Sequence, residues 1–191
     1  MKTYLYFVRH AISPFVFGNE RDRGLSDQGF SDSQRVKELL INEGIDAVIS
    51  SPYARAIQTV NYLSEALGKE IIVYEELRER PIKSLDEKCT EEELLAAIEK
   101  SFSDKDYCLH GGESTGAAQQ RAIPVINRIL TEHQGKKVVI GTHGNIMTII
   151  LNYFNDGFGY EFWKSTSKPD IYKAEFEGNA LINVVRLWEM E

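Results

Sequence analysis

The apolar run Tyr4-Leu5-Tyr6-Phe7-Val8 near the amino terminus stops abruptly at Arg9-His10. Three shorter runs rich in Val and Ile follow: Ala47-Val48-Ile49-Ser50, Ile71-Ile72-Val73 and Val138-Val139-Ile140. Runs of this length and β-branched content read as strands buried between helical layers. Longer stretches of helical character separate them. Ser26 can cap a helix that runs through Arg35, Leu39 and Leu40 until Gly44 stops it. Ser51-Pro52 predicts a second helix start, with Ser as the cap and Pro at the first helical position, and Gly68 ends that helix. Residues 80–136 are the least sheet-like. They contain a helical segment at about 91–102, a loop through His110-Gly111-Gly112, and a long helix from Ser114 that Pro124 should bend. Residues 172–176 and 180–188, flanking Glu177-Gly178-Asn179, predict a hairpin. The pattern therefore predicts an α/β protein, a three-layer α/β/α sandwich on a mostly parallel sheet. It reads as one domain over residues 1–191, with a helical insert over the strand ends at about 81–136. Such an insert is expected to act as a lid that selects substrate.

Composition narrows the class without naming a function. A chain of 191 residues, 42% hydrophobic and 27% charged, can bury about 70% of the surface of its unfolded form and carries no signature of disorder. A net charge of -7 argues against a nucleic-acid partner, although a local basic pocket can still hold one small phosphate ester. Cys89 and Cys108 have neither Cys-x-x-Cys spacing nor a neighbouring His cluster, so neither a metal site nor a redox motif is predicted, and both read as free thiols in a reducing cytosol. The apolar stretch before Arg9 is too short for a signal peptide, and no run approaches the ~18 apolar residues of a membrane span. The expectation is a cytoplasmic protein with no membrane partner, as a monomer or a homodimer.

The candidate chemistry lies where the strands end. Arg9 and His10 follow the first run, Ser51-Pro52-Tyr53-Ala54-Arg55 the second, and Gly141-Thr142-His143-Gly144 the last. In open α/β sheets, ligands bind outside the carboxyl ends of the strands, so two arginines and two histidines there describe a reactive anion site, and a phosphoryl group is the anion that uses all four. A neutral His10 can attack phosphorus and form a phosphohistidine, with Arg9 and Arg55 lowering its pKa and gripping equatorial oxygens. His143 can bond a phosphoryl oxygen, and the backbone N–H groups of Gly144 and Asn145 open a helix whose positive end faces the same place. Ser13 can add a hydroxyl. Glu79, just after the third run, is the natural proton donor to the leaving oxygen, and a dianionic phosphate beside it would help keep it protonated.

These positions also resemble a known family, the histidine phosphatase or phosphoglycerate-mutase-like superfamily. The resemblance rests on Arg9-His10-Ala11, Ser50-Ser51-Pro52-x-x-Arg55-Ala56-x-Gln58-Thr59, Leu77-x-Glu79-Arg80, Gly112-Glu113-Ser114 and Thr142-His143-Gly144, in order along nearly the whole chain. It implies a phosphate pocket of Arg9, His10, Arg55 and His143, phosphorylation of His10, Glu79 as the acid, and no metal or organic cofactor. Asn19 would stand for the family's loop asparagine, although it lies further from His10 than usual. Ala11 stands where the family usually has Gly, so a positive φ there would strain the loop by ~1 kcal/mol or more. Ile12 replaces a common acidic residue.

Blander readings exist for single residues. Glu79 could pair with Arg78 or Arg80, Ser13 could satisfy a turn amide, Glu113 reads as a cap or supporting residue, and His110 and His133 read as surface polar groups. Taken together, the strand-end set predicts a phosphatase acting on small phosphomonoesters. Two alternatives are a mutase that returns the phosphoryl group to another hydroxyl and a non-catalytic module that binds a phosphorylated ligand.

Overall fold

Leu5 and Phe7 point to one side of the first strand and Tyr6 and Val8 to the other, and all four are fully buried, as expected for a strand covered on both faces. The computed structural model describes residues 1–189. Its elements in chain order are β1 (Lys2–Arg9), α1 (Asp27–Leu40), β2 (Ala47–Ser50), α2 (Ala54–Leu67), β3 (Ile71–Val73), a 3-10 turn (Glu75–Leu77), α3 (Glu91–Ser103) and α4 (Thr115–Glu132). Then come β4 (Lys137–Thr142), α5 (Gly144–Phe154), α6 (Tyr160–Ser165), β5 (Asp170–Glu177) and β6 (Ala180–Arg186).

The six strands form one sheet in the order β3-β2-β4-β1-β5-β6. The pairings from β3 to β1 are parallel, whereas β1–β5 and β5–β6 are antiparallel, so the sheet is mixed. Leu5, Phe7, Ile49, Val138 and Ile140 pack on one face against α4 and α5 through Ile126, Ile129, Ile146 and Ile150. On the other face Tyr6, Val8, Val48 and Val139 meet Val36 and Leu40 of α1 and Val60 and Leu63 of α2. The alternation along the strands thus builds the three layers of the α/β/α sandwich. Ser26 caps α1 through its bond from the Gly29 amide, Gly68 closes α2 in the left-handed conformation, and β5 and β6 form the expected hairpin.

Two expectations are corrected. β3 is an edge strand with Ile72 and Val73 substantially exposed, so its β-branched run reflects strand propensity rather than burial. Helix α4 is part of the core: Ala118, Ala122, Ile126 and Ile129 are buried, and the helix runs through Pro124. Only the part of the insert before α4 is free to cover the strand ends. There, Ile82, Ala97 and Ile98 form a separate small cluster with Leu94, Leu109 and Trp163 around them. Its loops are braced by backbone bonds from Ser84 to His110, Leu109 to Ile82 and Glu113 to Pro81. Gly112 is required at this crossing, because a Cβ there would lie 2.2 Å from the Ile82 carbonyl oxygen. Among the described residues, no helix is long and apolar enough to cross a membrane.

Candidate active site

Arg9 ends β1 between its register partners Thr142 of β4 and Asp170 of β5. His10 follows, and its backbone amide still donates to the Thr142 carbonyl at 2.9 Å. The strand therefore fixes both side chains at the carboxyl edge of the sheet. His10 Nδ1 lies 2.7 Å from the Ala11 carbonyl oxygen, which can only accept, so Nδ1 carries the proton and Nε2 carries the lone pair. Burial, then the charges of Arg55, Arg9 and Lys168, hold the His10 pKa well below the ordinary imidazole range, against the opposing bond to Ala11. Among the described residues only glycines have positive φ, so Ala11 carries no strain of that kind. Its amide donates to Thr59 Oγ1 at 3.0 Å, and the Leu25 amide donates to Gln58 Oε1 at 2.8 Å. The Gln58-Thr59 pair of α2 thus holds both ends of the loop that follows His10.

Arg55 sits in the first turn of α2 and is almost wholly buried, with its guanidinium 5.0 Å from the Tyr53 ring. Its Nη1 donates to the Glu20 carbonyl and its Nη2 to Glu20 Oε1, both at 2.6 Å. Glu20 also pairs with Arg23 at 3.0 Å. Arg9 donates from Nη1 to the carbonyl and hydroxyl oxygens of Thr166. Gly144 gives the Arg9 head room, since a Cβ there would stand 2.8 Å from Arg9 Cζ. Among the described residues the Nε atoms of both arginines are buried without a partner.

His143 caps α5 with its ring centroid 5.3 Å from that of His10. It is completely buried and lies beside the cavity wall rather than in it. Its Nε2 is 2.7 Å from Ser51 Oγ, whereas Nδ1 is buried and unpartnered. Burial foremost, then Arg55 and His10, keep His143 neutral by lowering its pKa well below the usual value. Ser51 is therefore a partner of the second histidine and not the cap of α2, which begins three residues later behind Tyr53.

Glu79 shows a second departure. Its Oε2 accepts from the Asn145 amide at 3.1 Å and its Oε1 from the Ile146 amide at 2.8 Å, so this carboxylate occupies the amino-terminal end of α5. Oε1 also takes the Arg80 amide at 2.8 Å. The amides expected to face a phosphate are thus partly committed to Glu79, an arrangement the helix dipole favours. Ser13 takes the blander role: its hydroxyl donates to the Gly24 carbonyl at 2.7 Å and accepts from Arg23, bracing the loop. Asn19 does not line the cavity; its backbone bonds Val16 and Arg23. Asn145 does line it, and accepts from Arg80 through Oδ1 at 2.9 Å. Glu113 pairs with Arg121, and His110 is exposed beside Glu87.

Arg9, His10, Arg55 and Glu79 open into a cavity of about 610 Å³. Three further charged side chains at its inner end escaped the sequence reading: Glu20, Arg23 and Lys168. Lys168 makes no hydrogen bond or ion pair among the described residues, and burial, then Arg9, lower its pKa. The charge run from Glu20 to Arg23 was the available signal for the first two. Lys168 had none, because only the β5 pairing brings it to β1. Among the described residues no group of three or more His, Cys, Asp or Glu could hold a metal ion.

The site holds a buried neutral histidine beside Arg9 at a strand end and Arg55 in the first turn of α2, and comparisons with known proteins identify the family. The histidine phosphatase superfamily (branch 1) profile matches residues 5–187. The chain belongs to this superfamily. Phosphoglycerate mutase-like protein 4 of Arabidopsis thaliana is 30% identical over 176 residues, covering 88% of this chain and 70% of the relative. The 2,3-bisphosphoglycerate-dependent phosphoglycerate mutase of Azorhizobium caulinodans is 28% identical over 169 residues, covering 79% and 81%. Among solved structures, the native mycobacterial glucosyl-3-phosphoglycerate phosphatase superposes with a TM-score of 0.76 at 19% identity, covering 97% of both chains, and this likeness supports the fold.

Proposed function

We propose that this histidine phosphatase hydrolyses small phosphomonoesters through a phosphoryl intermediate on His10 Nε2. The observation that carries the reading is the His10 environment. The ring is neutral by burial and by neighbouring cations, and the Ala11 carbonyl fixes its tautomer. A phosphohistidine mechanism is general for the superfamily. In the first displacement the Nε2 lone pair forms the N–P bond as the P–O bond to the alcohol breaks. Arg9 and Arg55 hold the equatorial oxygens, and the leaving oxygen takes a proton from Glu79. Among the described residues Glu79 has no side-chain hydrogen-bond partner, and its Oε2 accepts one backbone bond, which leaves a lone pair for that proton. In the second displacement water attacks phosphorus, its proton passes to Glu79, and the N–P bond breaks to release phosphate and restore His10. Because Arg55 Nη2 bonds the Glu20 carboxylate and Nη1 the Glu20 carbonyl, phosphate must compete with Glu20 for both terminal nitrogens.

His143 supports this chemistry by position. If Ser51 donates its hydroxyl proton to Nε2, the free Nδ1 is protonated and neutral, a donor beside His10 that adds no charge. The net charge of -7 favours a small ester over a nucleic acid, and the free thiols of Cys89 and Cys108 fit a reducing cytosol.

The mutase reading is favoured by the names of two relatives, and it differs only in the acceptor, a second hydroxyl in place of water. Phosphate release from a panel of phosphomonoesters, with chelator present, separates them. Release that His10→Ala abolishes supports the hydrolase. Interconversion of phosphoglycerates with little free phosphate would overturn it.

A further inference from the structure

The cavity beyond the phosphate end is built differently. Phe15 and Phe17 of the loop after His10 line it together with Ile82, Leu85, Leu94, Ile98 and Trp163. Phe15 is 73% exposed and Leu85 46%, an unusual placement for large apolar side chains unless something covers them. Most polar side chains on the same wall are already engaged, the exceptions among the described residues being the Cys89 thiol and the Glu91 carboxylate, neither of which offers a polyol body a strong donor. Lys83 donates to the carbonyl oxygens of Ser84 and Glu87, and Glu87 faces His110. Thr90 caps α3 through Glu93, and Arg80 is spent on Ser101, Asn145 and the Glu113 carbonyl. Lys88 lies over the Phe17 ring at 4.9 Å, tying the two sides of the mouth together. The uncommitted cation, Lys168, is at the phosphate end beside Arg9 and His10.

We propose that this outer half is a subsite for an apolar alcohol, so that the preferred substrates are phosphomonoesters of aryl-bearing or extended alkyl groups rather than of sugars, glycerate or serine. The inference rests on the phosphatase reading and names its substrate class. A polyhydroxylated body would lose its water at this wall and find most donors and acceptors taken, and a carboxylated one would also meet the Glu91 carboxylate. An apolar body would cover the two phenylalanines and Leu85 while its phosphate reached Arg9 and Arg55. The volume is within the range of pockets that enclose such ligands.

Binding isolates the subsite from catalysis. The dissociation constants of 3-phenylpropylphosphonate and 2-amino-3-phosphonopropionate, which share the anionic head and cannot be hydrolysed, are compared by calorimetry on the wild type and on the Phe15→Ala/Phe17→Ala double variant. Both rings are largely exposed, so their removal does not empty the core. The expected result is binding of the phenylpropyl compound tighter by about tenfold or more, with that preference falling by about tenfold in the double variant. Equal affinities, or a preference that survives removal of both rings, would overturn the proposal. Turnover is then read with 3-phenylpropyl phosphate and phosphoserine, both alkyl esters, so that leaving-group reactivity does not stand in for recognition. Selective binding without phosphate release from either ester would count against the hydrolase and leave the apolar subsite standing.

Discussion

Two imidazoles kept neutral inside the protein make its stability depend on pH in a calculable way. His10 is 5% exposed and His143 is wholly buried, and both have pKa values well below the ordinary 6.5. In the unfolded chain each takes up a proton as the pH falls through about 6.5, whereas in the folded protein neither does until far lower. The unfolded state therefore binds more protons below this point, and stability is lost as the pH falls. From pH 7.5 to 5.5 each imidazole contributes at most about 1.4 kcal/mol of loss, or about 2.7 kcal/mol for the pair. The carboxylates with depressed values, Glu43, Glu75 and Glu93, start from 4.5 and exert their effect below this window. Urea unfolding followed by circular dichroism at the two pH values, in buffer free of phosphate, measures the change. His10→Asn should lose about 1.4 kcal/mol less than the wild type between them, and His143→Asn likewise. If the histidine variants lose as much stability as the wild type, the histidines are not held neutral by the fold, and the account of the nucleophile fails with them.

Other perturbations have signs set by the geometry. Gly144→Ala places a Cβ against the Arg9 guanidinium and should lower kcat/KM by about 10² by displacing it, with little change in the far-ultraviolet spectrum. Unchanged kinetics would mean that Arg9 does not act from this position. Thr59→Val leaves the buried Ala11 amide without its acceptor and should cost about 1–3 kcal/mol in urea unfolding; a neutral result would deny that this bond holds the loop. Glu20→Gln removes the carboxylate that competes for Arg55, so inhibition by inorganic phosphate should tighten by about threefold to tenfold. Weaker inhibition would instead make Glu20 a support for Arg55.

The sequence patterns that survived are those whose cause is local. The continuous apolar run of β1, the Ser26 and Ser114 helix starts and the Gly178-Asn179 turn depend on a few neighbouring residues, and all stand as read. So do the strand-end positions of Arg9 and His10, because a strand delivers its last residues to the sheet edge whatever lies beyond, and Arg55 follows β2 in the first turn of α2. The misreadings came from contacts made at a distance. Ser51 looked like a cap until His143, on another strand end, claimed its hydroxyl. The α5 amides looked free until Glu79 reached them, and Ser13 and Asn19 were drawn into a loop whose closure depends on Gln58 and Thr59. Lys168 and Thr166 come to Arg9 only because β5 returns antiparallel to β1. The division of residues 81–136 into a wall and a core helix was hidden because both are amphipathic, and only packing tells them apart.

The account stands most directly on the chemical identity of the intermediate. Rapid quenching of the wild-type protein during turnover of a phosphomonoester, digestion under alkaline conditions that preserve phosphoramidates, and mass spectrometry would locate the phosphoryl group. The account predicts that it is on the peptide containing His10, lost on brief acid treatment, and absent in His10→Ala. A phosphoryl group on another residue, or full turnover by His10→Ala, would contradict it.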